Sequence, residues 1–164
     1  MRAISTEPGE VRAGTRWFDE FQTSELPRLR LAFTSAFGGE VGSEVTADAV
    51  SYAWEHRDRL AGMERPAGYL FRVGQSAARR HLRWRRAPEA MSIVPAYEDR
   101  IDPDLPAALR RLTDRQRVAV CLVHVSGWTY EESADAMGVD VSTVRTHVSR
   151  ALERLRRILG EEDR

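Results

Sequence analysis

Two clusters of side chains in this sequence have the chemistry to meet a polyanion. The first lies between Arg72 and Arg86, where six arginines (Arg72, Arg79, Arg80, Arg83, Arg85 and Arg86) occur with no acidic residue among them. Unbalanced charges in one short stretch repel one another unless an anionic partner faces them. Tyr69, Phe71 and Trp84 are interleaved with these arginines. Planar rings beside guanidinium groups suit stacking against unpaired bases. The alternative for Tyr69 and Phe71 is burial in a core, and for the arginines a solvated helix end. The second cluster is the segment EESADAMGVDVSTVRTHVSRAL. It has a small residue, Ala134, where two helices would meet. Four residues later comes Gly138, able to turn with positive φ, and then an apolar Val144 to lock the second helix. That spacing predicts a helix-turn-helix whose second helix can enter a major groove. At roughly 100° per residue, Ser142, Thr146, Ser149 and Arg150 fall opposite the apolar stripe, with Arg145 on the flank. Arginine suits guanine edges bidentately, whereas Ser and Thr suit phosphates or either class of base. The alternative is a plain amphipathic hairpin with a solvated polar face. Three spacing matches together with two helix caps favour DNA.

The elements that must position these groups are all helical. Thr113 with Gln116 and Thr129 with Glu132 each form a capping box, opening helices at Asp114 and Tyr130. Val118, Cys121, Leu122 and Val125 follow the first box at i, i+3, i+4 and i+7, one apolar face that Gly127 stops. The second helix ends at Met137 before Gly138. Asp140 is placed to cap a long last helix from Val141 to about Leu159, with Val144, Val148, Ala151, Leu155 and Leu159 inward. Upstream, Trp17, Phe18 and Phe21 begin a helix that resumes after Pro27 through Leu29, Ala32 and Phe33. The glycines at 38, 39 and 42 are expected to break it. Ser43 can cap a helix carrying Val50, Ala53 and Trp54, and Pro66 suits the first turn of another that carries Leu70, Val73, Ala77 and Ala78.

The expected architecture is therefore all-α: two small helical domains joined by a flexible linker. Residues 1–15, with Pro8, Gly9 and Gly14, read as a disordered N-terminus. Residues 16–86 form the first helical domain. Residues 87–104 hold three prolines and no helical period, which predicts the linker. Residues 105–160 form the second domain, and 161–164 a tail.

Composition excludes several classes of function. The 164 residues carry 25 basic and 25 acidic side chains, so nucleic-acid binding must be local rather than indiscriminate. No apolar run approaches the roughly 20 residues that span a bilayer, and the segment MRAISTEPGEVRAG lacks the apolar stretch of a secretory signal. A cytoplasmic protein without membrane insertion is expected. The single cysteine, Cys121, allows no internal disulfide and reads as a small buried hydrophobe. The four histidines are far apart and no Cys-x-x-Cys accompanies them, so neither a metal nor another cofactor is expected. There is no phosphate-binding glycine loop and no nucleophile–base motif, which argues against an enzyme.

The segment LRRLTDRQRVAVCLVHVSGWTYEESADAMGVDVSTVRTHVSRALERLRRIL resembles region 4 of the extracytoplasmic-function (ECF) sigma factors of bacterial RNA polymerase. The matching positions are Gly127, Glu132, Ala134, Gly138, Thr143, Val144, Arg145, Arg150, Ala151 and Leu155. Taken alone, the segment is also similar to LuxR-type DNA-binding domains, which implies a second reading as a transcription regulator that is not a sigma subunit. The first block separates the two, because FDEFQTSELPRLRLAF is similar to sigma region 2.1 and RPAGYLFRVGQSAARRHLRWRR to regions 2.3 to 2.4. A LuxR-type regulator would carry alternating strands and helices instead. The resemblance implies core RNA polymerase and promoter DNA as partners, with an anti-sigma factor as a further one. It implies −35 contacts from Ser142, Thr143, Arg145, Thr146, Ser149 and Arg150. It implies −10 contacts from Arg72, Arg79, Arg80, Arg83, Trp84, Arg85 and Arg86, and polymerase contacts from Glu44, Asp48, Val50, Trp54 and Glu55. Ala47 and Val50 stand where the family usually has Gln and Phe, Arg80 where Asp is common, and Ser133 where Ile is usual.

Overall fold

The computed structural model describes the backbone of residues 8–84 and 104–162 and the side chains within 13–81 and 104–160. The described residues form helices α1 (Pro8–Ser24), α2 (Leu26–Phe37), α3 (Gly39–Glu55), α4 (Arg57–Ala61) and α5 (Pro66–Trp84) in the first block. The second block holds α6 (Leu105–Arg110), α7 (Asp114–Val120), a π-helical turn (Cys121–Val125), α8 (Tyr130–Met137) and α9 (Val141–Glu162). Among the described residues there is no strand.

The first block closes on an aromatic core. Phe33 and Phe71 are fully buried and stack with centroids 5.2 Å apart and planes 9° apart, and Phe21, Leu29, Leu60 and Leu70 complete the interior. Burying a side chain of this size contributes on the order of 2–3 kcal/mol. In the second block Ala119, Ala134, Val144 and Val148 form the nucleus of the helix-turn-helix. Leu109, Leu112, Val120, Cys121, Ala151, Leu155 and Ile158 pack α6 and α7 onto the far part of α9.

Both capping boxes form, with the Thr113 and Thr129 side chains accepting from the backbone of Gln116 and Glu132. Gly138 turns with φ +65°, and the Val139 N–H reaches back 3.1 Å to the Ala134 carbonyl, a left-handed stop open to glycine at little cost.

Several expectations need correction. Helix α1 starts at Pro8, so residues 8–15 are helical where disorder was expected; proline at the first helical position gives up an N–H that has no intrahelical partner anyway. Of the three glycines read as breakers, only Gly38 separates α2 from α3. Gly39 and Gly42 lie inside α3, and Ser43 is no cap, since its hydroxyl donates to the Gly39 carbonyl within the helix. Gly42 is there for proximity: a Cβ would sit 2.5 Å from Thr34 Cα where α2 and α3 cross. At the end of α9, Ile158 takes the buried position expected for Leu159, which is half-buried. The first seven residues, and the linker apart from exposed Asp104, lie outside the described residues.

The two blocks are in contact. The aromatic core of the first continues into the second through Val118, Leu122, Trp128 and Ala136. Trp128 is buried, edge-on to Phe71 at 5.8 Å, with the Arg28 guanidinium 5.8 Å from its ring centroid. Arg28 also donates to the Gly127 carbonyl (3.3 Å) and to Glu132 (3.1 Å), and Arg65 pairs with Asp135 at 2.5 Å. Two domains were expected because residues 87–104 hold three prolines and no helical period. The joint is carried by Val118, Leu122, Trp128 and Ala136 together with a few arginines whose partners lie 70 to 104 residues away.

Candidate nucleic-acid interface

Helix α9 presents the expected polar face. Ser142, Arg145, Thr146, Ser149 and Arg150 are exposed, Thr143 is half-buried, and Val144 and Val148 anchor the opposite side. Thr146 donates its hydroxyl to the Ser142 carbonyl (3.0 Å), which fixes its rotamer. The Arg145 guanidinium lies 4.6 Å from the Tyr130 ring centroid. Arg150 instead borders a cleft of about 640 Å³ between the blocks, shared with Arg79 of α5, Arg115 and Arg117 of α7, and His147. The two clusters recognised in the sequence thus meet at one cationic cleft through Arg79 and Arg150.

On α5, Arg72, Arg79 and Arg80 are exposed. Arg83 and Trp84 lie in the helical backbone with their side chains outside the described residues, and Arg85 and Arg86 lie outside altogether. Phe71 is resolved as core. Tyr69 remains half-exposed; its hydroxyl meets that of Tyr52 at 2.9 Å, and Arg59 donates to both, at 2.6 Å to Tyr52 and 3.0 Å to Tyr69. The hydrogen bond from Tyr52 and the nearby Arg59 hold the Tyr69 hydroxyl below its ordinary pKa, against the opposing pull of burial. His56 stacks on Tyr52 at 4.0 Å. This cluster of planar groups was not read from the sequence, because its members come from α3, α4 and α5.

The five residues expected to face polymerase all lie on α3, on two faces. Glu44 and Asp48 flank His81 of α5, at 3.3 Å from Nδ1 and 3.4 Å from Nε2. Val50 is half-buried against the core, and Glu55 is exposed. Trp54 is 46% exposed, the one large apolar side chain so open among the described residues. Its ring meets Phe18 edge-on at 5.1 Å and carries Arg57 at 4.4 Å. His81 was missed as a partner of α3; the i, i+4 spacing of Glu44 and Asp48 signals a paired site but does not say what fills it. Burial pushes the Cys121 thiol up to about 12, as suits a small core residue.

Residues 104–155 match the family described as Sigma-70, region 4. The chain is 34% identical over 92 residues to the ECF RNA polymerase sigma factor SigE of Mycolicibacterium smegmatis, covering 51% of this chain and 36% of that one. It is 33% identical over 104 residues to the RNA polymerase sigma factor CarQ of Myxococcus xanthus, covering 57% and 60%. The chain resembles ECF sigma factors, and residues 104–155 carry the match to Sigma-70 region 4. Its matches span less than two thirds of the length of these curated relatives. The sigma factor RpoE of Bartonella quintana, solved with the anti-sigma factor NepR, superposes with a TM-score of 0.72 at 25% identity, over 87% of this chain and 95% of that one. CnrH, solved with the cytosolic domain of CnrY, gives 0.68 at 22% over 93% and 95%, a likeness of fold. Among the described residues, no helix is long and apolar enough to cross a membrane.

Proposed function

We propose that this chain is a dissociable specificity subunit of bacterial RNA polymerase, acting in the cytoplasm and performing no covalent chemistry of its own. The second block reads the −35 duplex through Ser142, Thr143, Arg145, Thr146, Ser149 and Arg150. The first block engages melted −10 DNA through Arg72, Arg79, Arg80, Arg83, Arg85 and Arg86, with Trp84. Core polymerase docks on α3 around Glu44, Asp48, Val50, Trp54 and Glu55. The observation that carries this reading is the exposed polar face of α9, backed by a fully buried apolar stripe and preceded by a left-handed turn at Gly138. An anti-sigma factor is a further partner, in line with the complex in which the RpoE neighbour was solved.

The test is run-off transcription with purified core polymerase on fragments of the source genome. Defined transcripts that depend on added chain, and that disappear with the double variant Arg145→Ala/Arg150→Ala, are expected. Duplex binding without promoter-specific transcripts, with active core and folded chain, would count against a sigma subunit.

A further inference from the structure

We propose that Tyr130 is a positioning residue that holds the Arg145 guanidinium ready for one base pair; this rests on reading α9 as the DNA-facing helix. Arg145 is exposed, and among the described residues no carboxylate lies within ion-pair distance of it. Its contact is the Tyr130 ring, 4.6 Å from Cζ. That ring is itself held. Tyr130 is the first residue of α8, directly after the Thr129 cap, and it is half-buried against the cluster of Ala119, Ala134, Val144 and Val148. Val144, next to Arg145 in the chain, belongs to the same cluster, so one packing unit fixes both the ring and the backbone from which the arginine springs.

The chemistry of the contact matters. A salt bridge would occupy the N–H edge that reads a guanine. Stacking on a ring uses the flat face of the guanidinium and leaves its N–H donors uncommitted. An unrestrained arginine gives up rotamer freedom on docking, whereas a stacked one has given up part of it beforehand, which favours binding and sharpens geometry. No aromatic ring underlies Arg150 among the described residues, so the two arginines of α9 differ in this respect.

The experiment uses the full chain and its Tyr130→Phe, Tyr130→Leu, Arg145→Ala and Tyr130→Leu/Arg145→Ala variants, with helicity checked by circular dichroism. In the first arm, NMR reads the ring-current displacement of the Arg145 side-chain protons, present in the parent and Tyr130→Phe and absent in Tyr130→Leu. In the second arm, each protein selects from a randomised DNA duplex. Tyr130→Leu is expected to lose about two- to fivefold of discrimination at the base pair that Arg145→Ala relaxes, to leave other positions unchanged, and to add nothing in the Arg145→Ala background. Tyr130→Phe should retain selection. An equal loss at all positions, or a loss that persists without Arg145, overturns the proposal. So does an undisplaced Arg145 resonance. If the parent chain selects no sequence while the NMR displacement is present, the DNA reading of α9 falls and takes the proposal with it.

Discussion

Arg145 and Arg150 occupy one helix but different surroundings, and the difference predicts different losses. Arg150 borders the cationic cleft with Arg79, Arg115 and Arg117, a setting suited to phosphates. Replacing it with Ala should weaken binding to every duplex alike and reduce the slope of log affinity against log salt by about 1. Arg145→Ala should instead cost about 1–3 kcal/mol at one base pair and spare non-specific affinity. Anisotropy titrations at several salt concentrations, on selected and scrambled duplexes, separate the two; identical behaviour of both variants contradicts the assignment. Cys121 allows a second prediction at this scale. Its thiol is fully buried, touches the Ser35 carbonyl at 3.5 Å, and is pushed up to about 12. A thiol reagent in native buffer should therefore label it only at the rate at which the fold opens, with acceleration in denaturant. Rapid stoichiometric labelling of native protein would show the second block, or its packing against α2, to be far looser than this.

At the scale of elements, α8 depends on its cap more than on its length, since eight residues form a marginal helix alone. Glu132 makes three hydrogen bonds to two neighbours: it accepts from the Thr129 N–H at 2.7 Å and from Arg28 at 3.1 Å, and its own N–H donates to the Thr129 hydroxyl at 3.1 Å. Burial works to raise its pKa, but the Thr129 N–H and Arg28 outweigh it and hold the carboxyl below its ordinary value. A depressed folded value means that the stabilisation is complete above the unfolded carboxylate pKa of about 4.3 and is lost as pH falls through the folded one. Glu132→Gln should thus lower Tm at pH 7 and close the gap with the parent below about pH 4; a gap independent of pH would mean that the charge is immaterial. The elements of the second block were legible because their signals are local: two Thr-x-x-Glu/Gln boxes, a glycine at each stop, and a 3.6-residue stripe. Those of the first block were less so, because glycine is ambiguous there. Gly42 reads as a breaker, yet it marks the crossing of α2 and α3, and Gly42→Ala should cost about 1–3 kcal/mol from overpacking. The polar face of α9 was legible in the same way. The Tyr52, Arg59, Tyr69 cluster and the His81 contact were not, since periodicity within one helix says nothing of which helix lies opposite.

For the whole molecule, the seam between blocks has the composition of a joint that can open. Beside the buried Trp128 it holds exposed or half-exposed ion pairs, Arg28–Glu132 and Arg65–Asp135, and such pairs are worth about 0–1 kcal/mol each. The elements that meet there also carry buried polar atoms without a hydrogen-bond partner: Ser35 Oγ, Ser126 Oγ, Ser133 Oγ and the Trp128 indole N–H. Each such atom costs about 1–3 kcal/mol relative to a hydrated state, so water entering the seam recovers part of what separation loses. The π-helical turn Cys121–Val125, a rare geometry that recurs at functional places, lies against α2 in the same region. In the closed arrangement Arg150 and Arg79 share one cleft, whereas the proposed activity sends α9 to a duplex and α5 to a melted strand some distance along the promoter. Reversing both seam arginines, Arg28→Glu with Arg65→Glu, puts carboxylates against Glu25, Glu132 and Asp135 and should part the blocks while leaving helices intact. Small-angle scattering should then give a radius of gyration clearly above the ~15 Å expected of a compact chain of this length, with unchanged circular dichroism. Duplex affinity should rise as α9 is freed to meet a duplex without α5 alongside it. If the radius grows and affinity does not, the cleft does not screen α9. If neither changes, Trp128 and its aromatic neighbours hold the blocks together without help from charge, and the closed form is the working form.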